Sequence, residues 1–194
     1  MASDPVSDTD ERAEAELVRQ ARQRSADAWS SIYEANYGKL YRYCYARCGN
    51  ESIAAELAST VFLEALEGID SFEYRGRPLL AWLYRIAHNL VSDHLRKQGR
   101  ESEAIRESLV LAATHDPGPA SEVANRESVQ AALEQLTEDQ RQLSALRYFA
   151  DATTAEIAAT MHKSEAAVYS LEVRALGALR RAMSPGAEKR TDVA

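Results

Sequence analysis

The sequence has few cysteines and no long apolar run, although 45% of its residues are hydrophobic, which is enough for a core. Its 194 residues include two cysteines, five prolines and eight glycines, and no apolar run reaches the length of a membrane span. Cys44 and Cys48 lie one helical turn apart among apolar residues, which predicts buried thiols, and no nearby His-Cys cluster completes a metal-ligand set. Residues 1–5 are polar and acidic, unlike a secretory signal. We therefore expect a cytoplasmic protein without membrane insertion, bound metal or cofactor.

Sequence signatures of enzymes are also missing. The chain has no P-loop, no Gly-x-Gly-x-x-Gly, no His-Glu-x-x-His and no nucleophile elbow. Its four histidines are scattered, and none stands beside a suitable nucleophile: His88, His94, His115 and His162. We therefore predict that the protein is not an enzyme, and no catalytic residue is assigned.

The charge is unevenly distributed along the chain. The net charge is −7, yet residues 74–100 carry six basic residues and a single acid, Asp93. Residues 1–30 and 99–127 are each acidic, with a net charge of −3. Because local charge governs contact with a polyanion, the basic segment permits nucleic-acid binding by an acidic protein. We expect weak binding to free DNA, with a partner needed to present the basic strip.

The hydrophobic pattern is helical along most of the chain, and no stretch predicts a strand. Helices are predicted over 11–48, from about Ser52 to Gly68 and from Leu79 to about Lys97. From Gly99 to about Arg126 the pattern dissolves, and the run His-Asp-Pro-Gly-Pro at 115–119 cannot lie inside a helix. A second helical unit is predicted from about Ser128.

The helix that begins at Leu79 is the most informative segment. One side is a predicted buried stripe: Leu79, Leu83, Ile86, Leu90 and His94. The remaining surface carries basic, polar and aromatic residues: Trp82, Arg85, His88, Asn89, Arg96 and Lys97. A helix surface of this composition is typical of nucleic-acid binding, since cations contact phosphates and flat rings stack on bases. Periodicity alone favours an ordinary amphipathic helix with a solvated polar face.

The second helical unit contains a predicted helix-turn-helix. Thr137 and Thr153 each begin a capping box, with Gln140 and Glu156 three residues later. Ser164 caps the helix that follows, and the short turn at 162–165 gives the spacing of a helix-turn-helix. This motif is only weakly specific on its own, because many unrelated regulators carry it.

Both units resemble the extracytoplasmic-function (ECF) sigma factors of bacterial RNA polymerase. The order Trp-Leu-Tyr-Arg-Ile-Ala-x-Asn at 82–89, followed by Asp93 and Arg96, resembles their promoter-melting helix. The second unit resembles their C-terminal domain. The resemblance implies an all-α fold of two small helical domains, a region 2-like helical bundle and a region 4-like helix-turn-helix, joined by a flexible linker. It implies a sigma factor that binds core RNA polymerase, directs promoter-specific initiation, and recognises and melts promoter DNA.

The predicted division of the chain follows from this resemblance and from composition. The segments are a disordered N-terminus at 1–10, the region 2-like domain at 11–98, a flexible acidic linker at 99–127, the region 4-like domain at 128–184 and a disordered tail at 185–194.

The resemblance also implies three groups of site residues. Those expected to meet the beta-prime clamp helices of core polymerase are Glu56, Leu57, Ser59, Thr60 and Phe62. Those expected at the downstream promoter element and the melted strand are Arg75, Arg77, Trp82, Arg85, His88, Asn89, Arg96 and Lys97. Those expected at the upstream element are Lys163, Ser164, Tyr169, Ser170 and Arg174, in a domain that also contacts the beta flap.

Two departures from the family pattern leave alternatives open. Ser59 and Thr60 replace a Gln-Glu pair, which removes about 1–3 kcal/mol of core affinity if two charge-assisted hydrogen bonds are lost. Tyr169 and Leu171 occupy positions of the recognition helix that are often basic. Considered without the resemblance, Glu56 is equally consistent with a solvated acid on a helix surface, and Trp82 with a half-buried core residue.

Two other functions are therefore left open by the sequence. One alternative is a helix-turn-helix regulator that is not a sigma subunit. Another is a sigma-like protein that sequesters an anti-sigma factor, itself an expected further partner.

Overall fold

The computed structural model describes residues 5–73, 78–108 and 135–183, with side chains described for 11–73, 78–99 and 135–183. Several predictions lie outside these ranges: Arg75 and Arg77, the linker beyond residue 108, the helix start near Ser128 and the tail at 185–194.

All regular structure in the described ranges is helical, which confirms the all-α prediction. The helices are α1 (Pro5–Arg22), α2 (Ala26–Cys48), α3 (Glu51–Gly68), α4 (Leu79–Ser108), α5 (Glu138–Ser144), α6 (Thr154–Met161) and α7 (Glu165–Met183). A 3₁₀ turn, Ile69–Ser71, follows α3, and a π-helical turn, Ala145–Phe149, follows α5. The first four helices form one domain and the last three form the other.

Capping residues set the hairpin of α2 and α3. Ser25 accepts a hydrogen bond from the Ala28 amide at the start of α2, and Asn50 accepts from Ile53 at the start of α3. Gly49 lies between them at φ 68°, a left-handed conformation in which a residue without Cβ is unstrained. Its amide donates to the Tyr45 carbonyl at 2.8 Å. The sharp reversal brings α3 back along α2.

Helix α1 fixes the start of α4 through tertiary contacts. The Leu79 amide, at the first turn of α4, donates to the Glu14 carboxylate at 2.7 Å. Arg22 donates to the carbonyls of Ile69 and Phe72 in the segment that precedes α4. A helix N-terminus leaves amides without intrahelical partners, and Glu14 satisfies one of them from another helix.

The buried stripe of α4 differs from the predicted one. Leu79 and Leu83 are buried as expected, but Ile86, Leu90 and His94 are only half-buried. The centre of the stripe is instead Leu83, Tyr84, Ala87 and Val91, all without exposed surface. The stripe lies to one side of the predicted one because the second domain also packs on α4.

The second domain forms by the predicted capping chemistry. Both capping boxes are present, at Thr137 with Gln140 and at Thr153 with Glu156. Ser164 accepts from the Ala167 amide at 3.2 Å and so caps α7. His162 ends α6 in a left-handed conformation at φ 53°. Together α6, the turn and α7 form the predicted helix-turn-helix.

Three helix boundaries differ from the predicted ones. Helix α1 begins at Pro5 rather than residue 11, and proline is favoured in the first turn of a helix. The predicted continuous helix 11–48 is broken at residues 23–25, where Arg24 has φ 61°. Helix α4 ends at Ser108, about ten residues beyond the predicted end near Lys97, because the Glu, Ala and Arg residues there are good helix formers.

The cap at Thr153 provides a test of the second domain. Replacing Thr153 by Ala should lower the free energy of unfolding by about 1 kcal/mol, because the Glu156 amide loses its partner. Urea unfolding followed by circular dichroism measures this change. Ser170→Ala, on the exposed side of α7, is the control and should leave the midpoint nearly unchanged. Equal midpoints for Thr153→Ala and the unchanged protein would contradict the cap.

Candidate nucleic-acid and protein interfaces

The exposed surface of α4 carries four of the six predicted downstream-element residues that the structure describes. Arg85, Asn89, Arg96 and Lys97 are exposed, and Arg96 forms an ion pair with Asp93 one turn earlier. Arg85 and Lys97 therefore add to the positive field of this surface more fully than Arg96 does. Their grouping on one helix is the arrangement that contacts with a phosphate backbone require.

An aromatic cavity lies at the first turn of α4. Trp82 is half-buried and stacks on Phe72, with ring centroids 4.9 Å apart. Their stack borders a cavity of about 490 Å³. Its other lining residues are Ser71, Glu73, Pro78, Ala81, Arg85 and Ala159. A cavity with stacked rings on one side and a guanidinium at its rim suits an unstacked base and its phosphate.

His88 occupies a different position from the one predicted. It is half-buried rather than part of an open front, and its Nδ1 lies 3.3 Å from the Tyr43 hydroxyl. Arg47 donates to that hydroxyl at 3.4 Å, which leaves the hydroxyl proton for a neutral His88. Burial, followed by the nearby Arg47 charge, holds the pKa of His88 below its usual value.

The predicted core-binding residues divide into exposed and buried sets. Leu57 and Phe62 are buried in the first domain, whereas Glu56 and Ser59 are exposed and Thr60 is half-buried. The Thr60 hydroxyl donates to the Glu56 carbonyl at 2.9 Å. Phe62, expected as an anchor for polymerase, is 8% exposed and contacts the Tyr33 ring, with centroids 4.8 Å apart. Phe62 therefore packs beneath the exposed residues of α3 rather than among them.

Two leucines extend the exposed part of this motif. Glu56, Ser59, Leu63 and Leu66 recur at spacings of three and four residues, so they form one exposed stripe along α3. Leu63 is 62% exposed and Leu66 is 37% exposed. Neither leucine is among the predicted core-binding residues. The same spacing, continued from Ser59, would have identified both.

The recognition helix α7 presents a mixed surface. Ser164, Tyr169, Ser170 and Arg174 are exposed as predicted, and Tyr169 and Val173 are 56% and 72% exposed. Lys163 is half-buried and forms an ion pair with Asp139 at 2.9 Å, so its charge is partly neutralised within the domain. Arg147 and Glu172 form a second pair at 3.2 Å. Among the predicted contacts, Arg174 is the exposed cation, and its Nε donates to the Ser170 carbonyl at 3.2 Å.

Comparison with known protein families settles the class of this chain. Residues 32–101 match the family Sigma-70 region 2, and residues 132–181 match Sigma-70, region 4. The ECF RNA polymerase sigma factor BldN of Streptomyces coelicolor is 34% identical over 180 residues, which span 91% of this chain and 68% of that protein. The chain belongs to the ECF RNA polymerase sigma factor family. It is a sigma subunit that directs transcription initiation, so its partners are RNA polymerase and promoter DNA.

Solved structures show the same fold. CnrH, solved in complex with the cytosolic domain of CnrY, gives a TM-score of 0.67 at 20% identity and covers 90% of this chain and 99% of that one. The sigma factor RpoE, solved with the anti-sigma factor NepR from Bartonella quintana, gives 0.57 at 22% identity and covers 81% and 98%. The predicted two-domain sigma architecture is confirmed, and in the described part of this chain no helix is long and apolar enough to cross a membrane.

The environment of His88 predicts a pH dependence of the sigma factor's stability. The groups that act on its imidazole are Tyr43 and Arg47 on α2 and Glu138 and Asp139 on α5. Because the folded pKa is depressed, stability is complete above the unfolded pKa, about 6.5, and decreases as pH falls below it. The urea midpoint should therefore fall between about pH 7.5 and 5.5.

Histidine variants separate this effect from general acid sensitivity. In His88→Gln the decrease over that range should be smaller, whereas His162→Gln, at an exposed position, should retain the full decrease. Identical pH profiles for His88→Gln and the unchanged sigma factor would contradict the assignment.

Proposed function

We propose that this sigma factor opens promoter DNA with the aromatic cavity and the exposed surface of α4. The observation that carries the proposal is the Phe72–Trp82 stack beside Arg85, at the first turn of a helix that goes on to present Asn89, Arg96 and Lys97. A flipped base gains stacking in such a cavity, which offsets a few kcal/mol of lost base stacking. Arg75 and Arg77, in the preceding segment, remain predicted phosphate contacts.

Core polymerase is proposed to bind the exposed stripe of α3, through its beta-prime clamp helices. Glu56 supplies an acid, while Leu63 and Leu66 supply apolar surface. Burying a leucine side chain contributes about 1.5–3 kcal/mol, which is comparable to the affinity expected to be lost at Ser59 and Thr60. Apolar contact thus replaces charged contact at this interface, and Leu57, Thr60 and Phe62 hold the stripe in place.

The second domain is proposed to contact the upstream promoter element and the beta flap. Ser164, Tyr169, Ser170 and Arg174 are its proposed DNA contacts, and they offer more hydrogen-bonding groups than charges. Since Lys163 is paired with Asp139, binding by this domain alone should depend only weakly on salt. Promoter affinity then comes chiefly from the complete polymerase complex.

Membership of the sigma factor family also suggests how this protein is regulated and where in the cell it acts. RpoE was solved with an anti-sigma factor, and we propose a partner of that class for this chain. We also propose that it acts in the cytoplasm, where polymerase and DNA are found. The catalytic chemistry of transcription is assigned to the polymerase, with none in this subunit.

The α3 stripe is tested by Leu63→Asp. Desolvating a carboxylate in an apolar contact is costly, so co-elution with core polymerase should be lost while helical content is kept. Glu67→Asp, at an exposed position of the same helix, is the matched control and should still co-elute. Retained co-elution of Leu63→Asp would place the core contact elsewhere.

The α4 surface is tested by run-off transcription with Arg85→Ala and Asn89→Ala. Both positions are exposed, so the fold should be unaffected, and transcripts from a duplex promoter should decrease about 10-fold or more for a loss of 1.4 kcal/mol or more. A promoter with a pre-melted bubble should restore much of the signal, because strand opening is then no longer required. Arg19→Ala, which removes an exposed charge on α1, is the control.

Equal transcription by these variants and the unchanged protein on duplex templates would remove α4 from the melting step. A defect of the same size on the pre-melted template would assign these residues to a later step instead.

A further inference from the structure

The first half of the recognition helix α7 presents an uncharged, mainly apolar side. Ala166, Tyr169, Ser170 and Val173 follow one another at helical spacing, and all four are exposed. Val173 is 72% exposed, more than any other large apolar residue in the described part of the chain. We call these four residues the outer face of α7. Its polar groups are the hydroxyls of Tyr169 and Ser170, and none of its side chains is charged.

Packing holds the outer face in one orientation. The opposite side of α7 is buried in the second domain through Val168, Leu171 and Ala175. Glu172, on a flank of the helix, forms an ion pair with Arg147 and accepts a hydrogen bond from the Tyr148 hydroxyl at 3.2 Å. Arg147 also donates to the Thr154 hydroxyl at 2.8 Å, which ties α7 to α6. Contacts on the inner side and on a flank therefore fix the rotation of α7, and the outer face points to solvent.

The charges around the outer face favour a polyanion. Three arginines of α7 are exposed: Arg174, Arg180 and Arg181. The helix has two acids, and one of them, Glu172, is neutralised by its pair with Arg147. An uncharged face with net positive surroundings is complementary to DNA, whose phosphates flank uncharged base edges. In a helix-turn-helix, the N-terminal turns of the second helix are also the ones that reach base edges in the major groove.

The composition of the outer face limits what it can recognise in that groove. Guanine is typically read by arginine or lysine and adenine by asparagine or glutamine, and the outer face contains none of these. The apolar group that base pairs present in the major groove is the C5 methyl of thymine. Packing Val173 on the donors and acceptors of a G·C pair would desolvate them without partners, which costs free energy. Packing it on a methyl group buries apolar surface on both sides.

We propose that α7 selects its upstream promoter element by apolar contact with thymine methyl groups, with Val173 and Tyr169 as the specificity-determining residues. Ala166 permits close approach to the groove, and Arg174 supplies charge beside it. The inference rests on the proposed contact between the second domain and the upstream element, and it names the chemical group that this contact reads. Val173 is a recognition residue that the sequence pattern did not identify.

The test uses holoenzyme assembled from core polymerase and the full chain. Preferred upstream elements are first selected from duplex promoters that are randomised at that element. Each selected thymine is then replaced by deoxyuridine, which removes the methyl group and keeps the base pairing. Binding measured by fluorescence anisotropy of the labelled promoter should weaken about fourfold for each contacted methyl group.

Variants of the outer face assign this loss to particular side chains. In Val173→Ala and Tyr169→Ala the contacted methyl has lost its partner, so replacing that thymine should weaken binding less than about twofold. Met183→Ala is the matched control, because Met183 is an exposed apolar residue in the last turn of the same helix. It should keep the full fourfold loss. Circular dichroism should show equal helical content in all variants, since the replaced side chains are exposed.

Four results would overturn the inference: a selected element without thymine, no loss on replacement by deoxyuridine, the same loss in both outer-face variants as in the unchanged protein, or weaker co-elution of these variants with core polymerase at unchanged promoter selectivity. The last result would assign the outer face to a protein partner.

The proposed function is tested separately with the unchanged protein, by scrambling the whole upstream element. Transcription that is indifferent to scrambling would remove the proposed contact and this inference with it. A sequence-selective element that ignores the methyl groups would remove the inference alone.

Discussion

Tyr43 of α2 and Tyr84 of α4 meet at the centre of the first domain, with ring centroids 5.5 Å apart and no exposed surface on either residue. This tilted pair fixes the distance and rotation between the two helices. The Tyr43 hydroxyl then holds Arg47 and His88, and through them it connects the first domain to Glu138 of the second. Burial raises the pKa of Tyr43 above its ordinary value, so the hydroxyl keeps its proton.

The sigma factor has a net charge of −7, and it can still bind DNA because its positive charges are concentrated on part of its surface. The cations of α4 lie on an exposed surface, while several others serve the structure. Arg22 and Arg24 hold the segment before α4, Arg42 and Arg47 hold the second domain, and Arg147 joins α6 and α7. Arginine suits these tasks because its planar fork donates several hydrogen bonds in fixed directions. A count of basic residues therefore overstates the charge available to a polyanion.

The structure of α3 explains how the protein accommodates Ser59 and Thr60 in place of the Gln-Glu pair of the family pattern. Thr60 donates back to its own helix, and Ser59 lies between Glu56 and Leu63 on the exposed stripe. The aromatic rings of Tyr33, Tyr37 and Phe62 pack behind that stripe. A surface of this kind favours apolar partner contacts, where packing against a rigid support contributes more than ion pairing.

The sequence by itself determined the all-α class, the two domains and the family, because capping boxes, helical periodicity and the motif at 82–96 are local signals. Thr137, Thr153 and Ser164 each cap a helix by accepting from an amide three positions away, so a short-range pattern was sufficient. Only the tertiary structure decided that Glu14 caps α4, that the stripe of α4 centres on Tyr84 and Ala87, and that His88 is half-buried. These features depend on contacts between residues 45 to 91 positions apart in the chain, and periodicity within one helix carries no information about such partners.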